Sequence, residues 1–86
     1  LAIMTLPEVT GAAVIGVPDE RWGEVPHAVL TLRPGATLDP ARFVAYLSRR
    51  LARYKVPRTF EVVEELPRTA SGKVQKHLLR QAHHHR

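Results

Sequence analysis

The sequence has 86 residues, a formal net charge of +5 and 44% hydrophobic residues, which suits one small folded domain with a modest core. No apolar run approaches the roughly 20 residues that a bilayer-spanning helix needs, so we expect no membrane span. The absence of cysteine excludes disulfides and thiolate chemistry, and it favours a cytoplasmic location.

The positive charge raises the question of nucleic-acid binding. Basic residues are dense between Arg49 and Lys76, but Glu61, Glu64 and Glu65 interrupt them. The few aromatic residues do not alternate with the basic ones, as a base-stacking surface would require. We therefore expect no nucleic-acid partner, although a small basic nucleic-acid binder stays an alternative. A polyanionic small molecule, such as a nucleotide, explains the charge equally well.

The first third of the chain predicts a β-hairpin. Residues 1–6 are apolar before a proline and are interpreted as the tail of a helix. Residues 11–17 are small and β-branched, which predicts a strand buried on both faces. Residues 27–33 predict the second strand. The segment between the strands contains Pro18, Asp19 and Trp22 and is interpreted as a long, functional loop.

A helix, a third strand and a closing helix are predicted next. Asp39 is a plausible N-cap before Pro40, and apolar residues then recur at helical spacing up to Leu51. Arginines in the predicted last turns suit the helix dipole, and residues 54–57 end the helix. Residues 59–63 alternate like a strand, and residues 74–81 predict an amphipathic helix. The order indicates a small α+β domain with a three-stranded sheet, formed by a hairpin plus a third strand after a helix.

Lys73 lies in a loop of small residues, directly after Gly72 and before the closing helix. A lysine presented in this way can reach a partner's site and neutralise the negative charge on a phosphate that is being attacked. A P-loop is excluded, because Pro67 and Val74 stand where that motif needs Gly and Ser or Thr.

At this point the sequence resembles one family over essentially its whole length. Four segments carry the resemblance: AVIGVPD at 13–19, WGE at 22–24, YKVP at 54–57 and LPRTASGK at 66–73. The chain is similar to the C-terminal lid domain of adenylate-forming enzymes, which include the acyl-coenzyme A synthetases. The tail after Lys73 is closer to free-standing synthetases than to peptide-synthetase adenylation domains.

The resemblance implies a two-step reaction with ATP, Mg²⁺ and coenzyme A. A carboxylic acid attacks the α-phosphate of ATP, and coenzyme A then displaces AMP after the lid rotates. The ATP and acyl sites belong to an N-terminal domain, the implied partner. We therefore expect residues 1–86 to be a single lid domain without that N-terminal domain, inactive by itself. The alternative is a stand-alone, non-catalytic binding module with the lid fold.

The resemblance also assigns roles to residues. Lys73 becomes the adenylation lysine; Gly72 allows close backbone approach, and Ser71 caps the following helix. Pro67, four further residues and then Gly72-Lys73 resemble the motif that bacterial lysine acetyltransferases recognise, so Lys73 is also a candidate acetylation site with such an enzyme as partner.

Candidate coenzyme A contacts follow from the same resemblance: Trp22, Tyr54, Lys55 and Arg58. Val56 stands where relatives are basic, which weakens the expected phosphate clamp. The competing interpretation is that Trp22 plugs the hairpin loop and Tyr54 packs against the helix end.

The histidines suggest no metal at this level. Adjacent residues in the tract 83–85 point in different directions on a helix, and terminal histidine tracts are often remnants of expression tags. His27 and His77 have no recognisable partner ligands in the sequence. We therefore expect no metal bound by this domain itself.

Overall fold

The computed structural model describes residues 2–84, except for the side chain of His84. Strand β1 (Val9–Asp19) and strand β2 (Gly23–Leu32) form an antiparallel hairpin. Strand β3 (Thr59–Val62) pairs in parallel with the other edge of β2, so β2 is the central strand. Within residues 2–84, no helix is long and apolar enough to cross a membrane.

Two helices and two short 3₁₀ turns complete the fold. Helix α1 (Pro40–Ser48) lies between β2 and β3 in the chain, and helix α2 (Lys76–His84) follows β3. The 3₁₀ turns are Ala2–Thr5 and Arg53–Lys55. This arrangement confirms the predicted α+β class, the hairpin and the third strand after a helix.

The sheet has an apolar core on each face. Ala28 and Leu30 of β2 pack with Phe43 and Leu47 of α1, and all four side chains are fully buried. On the opposite face, Val29 of β2 packs with Ala13 and Ile15 of β1. Leu66, which follows β3, and Leu79 of α2 belong to the same core. Because successive strand residues point to opposite faces, one central strand serves both cores. In β1, Ala13 and Ile15 are buried against the α2 side, whereas Ala12 and Val14 are only half-buried against the α1 side, so the prediction of a strand buried on both faces holds fully for one face.

The prediction of a long hairpin loop is wrong. Strand β1 continues to Asp19 and strand β2 begins at Gly23. These two residues pair directly, so the loop between the strands has only three residues. The Asp19 carboxylate accepts hydrogen bonds from the amides of Arg21 and Trp22, both at 2.8 Å. Gly23 has φ +79°, which lets the chain reverse so tightly. Proline at position 18 does not end β1, because the hairpin edge tolerates it.

Helix α1 begins as predicted but ends early. The Asp39 side chain accepts from the Arg42 amide at 3.1 Å, and Pro40 is the first helical residue. The helix ends at Ser48, so the predicted extension through Arg53 is wrong. The chain has to return to the sheet, where the Arg58 amide donates to the Pro26 carbonyl at 2.9 Å.

The two ends of the chain also differ from the predictions. Ala2–Thr5 is a 3₁₀ turn rather than the tail of an α-helix, and residue 1 lies outside the described residues. The closing helix begins at Lys76 rather than at residue 74, because Val74 forms a β-bridge with Arg68 and the Gln75 amide donates to the Pro67 carbonyl.

Candidate functional site

Lys73 lies at the end of a tight loop that its own backbone closes. The Thr69 amide donates to the Lys73 carbonyl at 2.8 Å, and the Gly72 amide donates to the Thr69 carbonyl at 2.9 Å. The Thr69 hydroxyl also accepts from the Lys73 amide at 3.2 Å. All three hydrogen bonds involve Thr69, so this threonine fixes the backbone from which the lysine projects.

Gly72 and Arg68 complete the loop. Gly72 has φ +90°, a conformation that residues with a side chain rarely adopt, so glycine is strongly favoured here. The Arg68 guanidinium donates from Nη1 to the Gly72 carbonyl at 2.8 Å. Arg68 lies inside the segment that carries the resemblance, but nothing in the sequence alone indicated that its side chain braces the loop.

Ser71 does not cap a helix, so that expectation is wrong. The helix begins at Lys76, and the Ser71 hydroxyl instead lies 3.0 Å from the Thr69 hydroxyl. The capping expectation assumed a helix immediately after Lys73, whereas Val74 and Gln75 lie outside the helix, which begins only at Lys76. Ser71 therefore contacts Thr69 within the loop that carries Lys73.

The Lys73 loop opens onto a cationic surface. Lys73 is exposed and lines an open pocket together with Lys76, His77 and Arg80 of α2. Lys73, Lys76 and Arg80 are basic side chains, so three cations line the pocket. An anionic group entering this pocket would meet Lys73 at the loop and the other cations along the helix.

A second surface lies at the hairpin turn. Trp22 is 58% exposed and Tyr54 is 75% exposed, so neither side chain belongs to a core. This exposure argues against the interpretations of Trp22 as a loop plug and of Tyr54 as helix packing. Both rings, with Arg53 and Arg58, line one open pocket of about 450 Å³.

Two guanidinium groups lie beside Trp22, and the pocket is lined by basic residues as well as by the acidic Glu24. The Arg21 guanidinium carbon lies 5.0 Å from the centroid of the indole ring, and that of Arg58 lies 5.9 Å away. Both distances are in the range of cation–π contacts. Arg58 comes close because its backbone is tied to β2 at Pro26. An exposed aromatic ring with arginines close to it suits a nucleotide, whose base can stack while its phosphates pair with the arginines.

Lys55, which the resemblance grouped with Trp22, Tyr54 and Arg58, does not lie in the same pocket as those residues. Lys55 contacts the Tyr54 ring at 5.8 Å but does not line the pocket of Trp22. Arg53 lines it instead. The helical spacing of the sequence predicts Arg53 at a helix end, so its position in this pocket was not expected.

A third cluster of polar side chains lies on the face of the sheet that α2 covers. His27 of β2 is opposite Thr59 of β3, and Glu61 is on the same face of β3 as Thr59. His27 Nε2 lies 3.0 Å from Glu61 Oε1, and His83 Nε2 of α2 lies 2.8 Å from the same oxygen. The expectation that His27 has no partner ligand is therefore wrong, because residues 27, 61 and 83 meet only in the fold.

The histidines act on the charge of Glu61. The hydrogen bond from His27 holds the pKa of Glu61 below its ordinary value, His83 adds to this effect, and partial burial opposes it. Glu61 is therefore a carboxylate at neutral pH.

Comparisons with known proteins agree with the fold. A family model described as "AMP-binding enzyme C-terminal domain" matches residues 2–73. The chain is 50% identical over 80 residues to a 3-[(3aS,4S,7aS)-7a-methyl-1,5-dioxo-octahydro-1H-inden-4-yl]propanoyl:CoA ligase of Rhodococcus jostii, covering 93% of this chain and 16% of the relative. It is 50% identical over 70 residues to a feruloyl-CoA synthase of an Amycolatopsis species, covering 81% of this chain and 14% of the relative.

A solved structure shares the architecture. The crystal structure of ATP-bound MatB from Rhodopseudomonas palustris superposes with a TM-score of 0.85 at 41% identity, covering 94% of this chain and 16% of that one. The chain thus spans about one sixth of the length of the proteins it matches.

Proposed function

Because the chain belongs to the family of C-terminal domains of AMP-binding enzymes, we propose that it is the catalytic lid of an acyl-coenzyme A synthetase. In this proposal the complete enzyme first joins a carboxylic acid to AMP, releasing pyrophosphate. It then transfers the acyl group to the thiol of coenzyme A, releasing AMP. The relatives are named as CoA ligases and synthases with quite different acids, so the identity of the acid stays outside the proposal.

Lys73 is the residue proposed to act in the first step. As the carboxylate oxygen attacks the α-phosphate and the bond to pyrophosphate breaks, negative charge spreads over the phosphate oxygens. A positioned ammonium stabilises that charge more than it stabilises the free substrates. The observation that supports this role is the loop of Thr69, Gly72 and Lys73, which holds an exposed lysine on a closely hydrogen-bonded backbone.

Coenzyme A is proposed to bind in the second step at the surface of Trp22, Tyr54, Arg53 and Arg58. The adenine would stack on an exposed ring, and the arginines would pair with phosphates. Lys55 is retained as a peripheral contact beside Tyr54. This pocket shares no lining residue with the pocket of Lys73. Two separate surfaces suit two half-reactions, each of which needs a different face of the lid against the active site.

The remaining chemistry is assigned to the partner domain of the same enzyme. ATP with its Mg²⁺, and the acid, would bind mainly there, and the lid would add Lys73. The proposed location is the cytoplasm, where ATP and coenzyme A are both present. We expect residues 1–86 alone neither to bind ATP measurably nor to catalyse its exchange with pyrophosphate. Exchange catalysed by this polypeptide alone would contradict the proposed division of labour.

Acetylation of Lys73 is proposed as a way to switch the first step off. Acetylation removes the positive charge that the transition state needs, and the lysine is exposed enough to be modified. Treatment with a bacterial lysine acetyltransferase and acetyl-coenzyme A should add one acetyl group at Lys73, measured by peptide mass. Acetylation that spares Lys73 would refute the idea, and Lys76 provides a neighbouring exposed lysine as the reference.

The principal test is Lys73→Ala in the complete enzyme, measured by ATP–pyrophosphate exchange. Loss of one positioned transition-state contact is expected to lower the exchange rate about 10²–10³-fold. Lys76→Ala is the matched control, because it removes the same charge from the same pocket. An exposed charge that makes no specific contact contributes about 0.2–1 kcal/mol, so this control should lose less than about fivefold. Equal losses in both variants would mean that general positive charge, rather than Lys73, drives the step.

A further inference from the structure

We propose that His27, Glu61 and His83 form a binding site for a divalent metal ion of the zinc type. The site lies between the sheet and α2, separate from the Lys73 loop and from the Trp22 pocket. Its three candidate ligand atoms, one from each residue, all lie within 4.8 Å of one another.

The donor set is the first argument. Two imidazole nitrogens and one carboxylate oxygen are ligands that zinc accepts, and three protein ligands leave a fourth position for water. A tetrahedral zinc with bonds of about 2.1 Å holds its ligands about 3.4 Å apart. The two nitrogen–oxygen distances, 3.0 and 2.8 Å, therefore need to open by about half an ångström to meet this geometry.

The second argument concerns the direction of the ring nitrogens. His83 Nδ1 lies 2.7 Å from the Leu79 carbonyl oxygen, which can only accept, so Nδ1 carries a proton. The other nitrogen, Nε2, is then the one that faces Glu61, 2.8 Å from Oε1, and it is the nitrogen that a metal ion would bind. A carbonyl that fixes the tautomer of a ligating histidine is typical of metal sites.

His27 is oriented in a similar way. Its Nδ1 lies 2.6 Å from the Thr59 hydroxyl, which leaves Nε2 directed at Glu61. The His27 residue is only 8% exposed and belongs to the central strand, so its position is well defined. The Glu61 side chain is 42% exposed and provides a route for the ion to enter.

The consequence is a staple between elements that are distant in sequence. The three ligands come from β2, β3 and α2. Among the described residues, α2 also packs on the sheet through the buried side chain of Leu79. A bound ion would fasten α2, the helix that directly follows the Lys73 loop, to the sheet. This inference does not depend on the proposed catalytic role, because it concerns residues that the proposed mechanism does not use.

The test uses Zn²⁺ itself and a chain in which the tail cannot contribute. His84→Asn with His85→Asn is the reference, and zinc affinity is measured by competition with a chromophoric chelator. We expect one Zn²⁺ per chain, with a higher thermal midpoint in its presence. Glu61→Gln and His83→Asn should each weaken binding at least about 100-fold, because loss of a mere outer-shell partner already costs 10–100-fold. His77→Asn, on the same helix but outside the cluster, should have no effect.

Three results would overturn the proposal: no zinc binding by the reference chain, binding that survives either ligand variant, or equal loss in His77→Asn. Circular dichroism checks that the variants fold. A measurement without ligand substitutions keeps the proposal testable if they do not. On addition of Zn²⁺ to the reference chain, the ¹⁵N resonances of Nε2 in His27 and His83 should shift strongly. Unshifted resonances, or shifts at Nδ1 instead, would contradict the assigned ligand atoms.

Discussion

Gly72→Ala perturbs the Lys73 loop without removing any charge, and Gly35→Ala is its matched control. The two glycines have nearly the same backbone conformation, with φ +90° and +82°. A Cβ added at either position would have no atom within 4 Å, so neither variant creates a steric clash. Any difference between them must therefore come from what the local backbone positions.

The cost of the strained backbone can be estimated. A residue with a Cβ in this region costs about 1–2 kcal/mol. Alanine also restricts the unfolded chain, which returns about 0.4–1 kcal/mol. Both variants should therefore lose about 1 kcal/mol of unfolding free energy, measured by urea denaturation of the 86-residue chain.

The catalytic effects should differ. In Gly72→Ala, relaxation of the strain moves the neighbouring Lys73, and a misplacement of about 1 Å can cost as much as 10²-fold in rate. We expect ATP–pyrophosphate exchange by the complete enzyme to fall at least about tenfold in Gly72→Ala. Gly35 lies in the turn between β2 and α1, so Gly35→Ala should keep a near-normal rate. Equal exchange rates in the two variants would refute the idea that this loop positions the lysine.

Three further predictions concern single side chains. Thr69→Val removes the hydroxyl that accepts a hydrogen bond from the Lys73 amide. The rate of ATP–pyrophosphate exchange should fall up to about tenfold, since one hydrogen bond contributes about 1 kcal/mol. Thr69→Ser, which keeps the hydroxyl, should recover most of the rate. Trp22→Ala should change the unfolding free energy by less than about 0.5 kcal/mol because the ring is exposed. The same variant should raise the KM for coenzyme A at least about fivefold, because stacking on the ring is lost. An unchanged KM would mean that Trp22 is not part of the coenzyme A site. Asp39→Ala should lower the unfolding free energy by about 1 kcal/mol because it removes the N-cap of α1. Asp39→Asn keeps a capping oxygen and should cost little, and neither variant should alter the rate of ATP–pyrophosphate exchange. Equal destabilisation by both variants would argue against the cap.

Local signals in the sequence predicted the parts of the fold that depend on neighbouring residues. The N-cap at Asp39 and the start of α1 at Pro40 follow from side-chain and backbone chemistry within a few residues. The ends of elements depend on distant partners. Helix α1 stops early because the chain has to return to Pro26, and α2 starts late because Val74 bridges to Arg68. Periodicity carries no information on either contact.

The candidate sites divide in the same way. Lys73, Trp22 and Tyr54 were identified because they lie in continuous segments that resemble one family. Arg53 in the second pocket was missed because its role depends on where a short turn lies against the hairpin. The cluster of His27, Glu61 and His83 brings together residues up to 56 positions apart (83 − 27). The parallel pairing of β2 with β3 and the packing of α2 create it, and no spacing pattern announces such a cluster.

The most direct test of the lid proposal compares the two half-reactions in one complete enzyme carrying Lys73→Ala or Trp22→Ala. Adenylation is followed by acyl-adenylate formation in a single turnover. Thioester formation is followed from preformed acyl-adenylate and coenzyme A. We expect Lys73→Ala to abolish most of the first step and spare the second, and Trp22→Ala to do the reverse at low coenzyme A. If both variants impair the same step, or neither impairs either, the two surfaces do not serve separate half-reactions and the proposal fails.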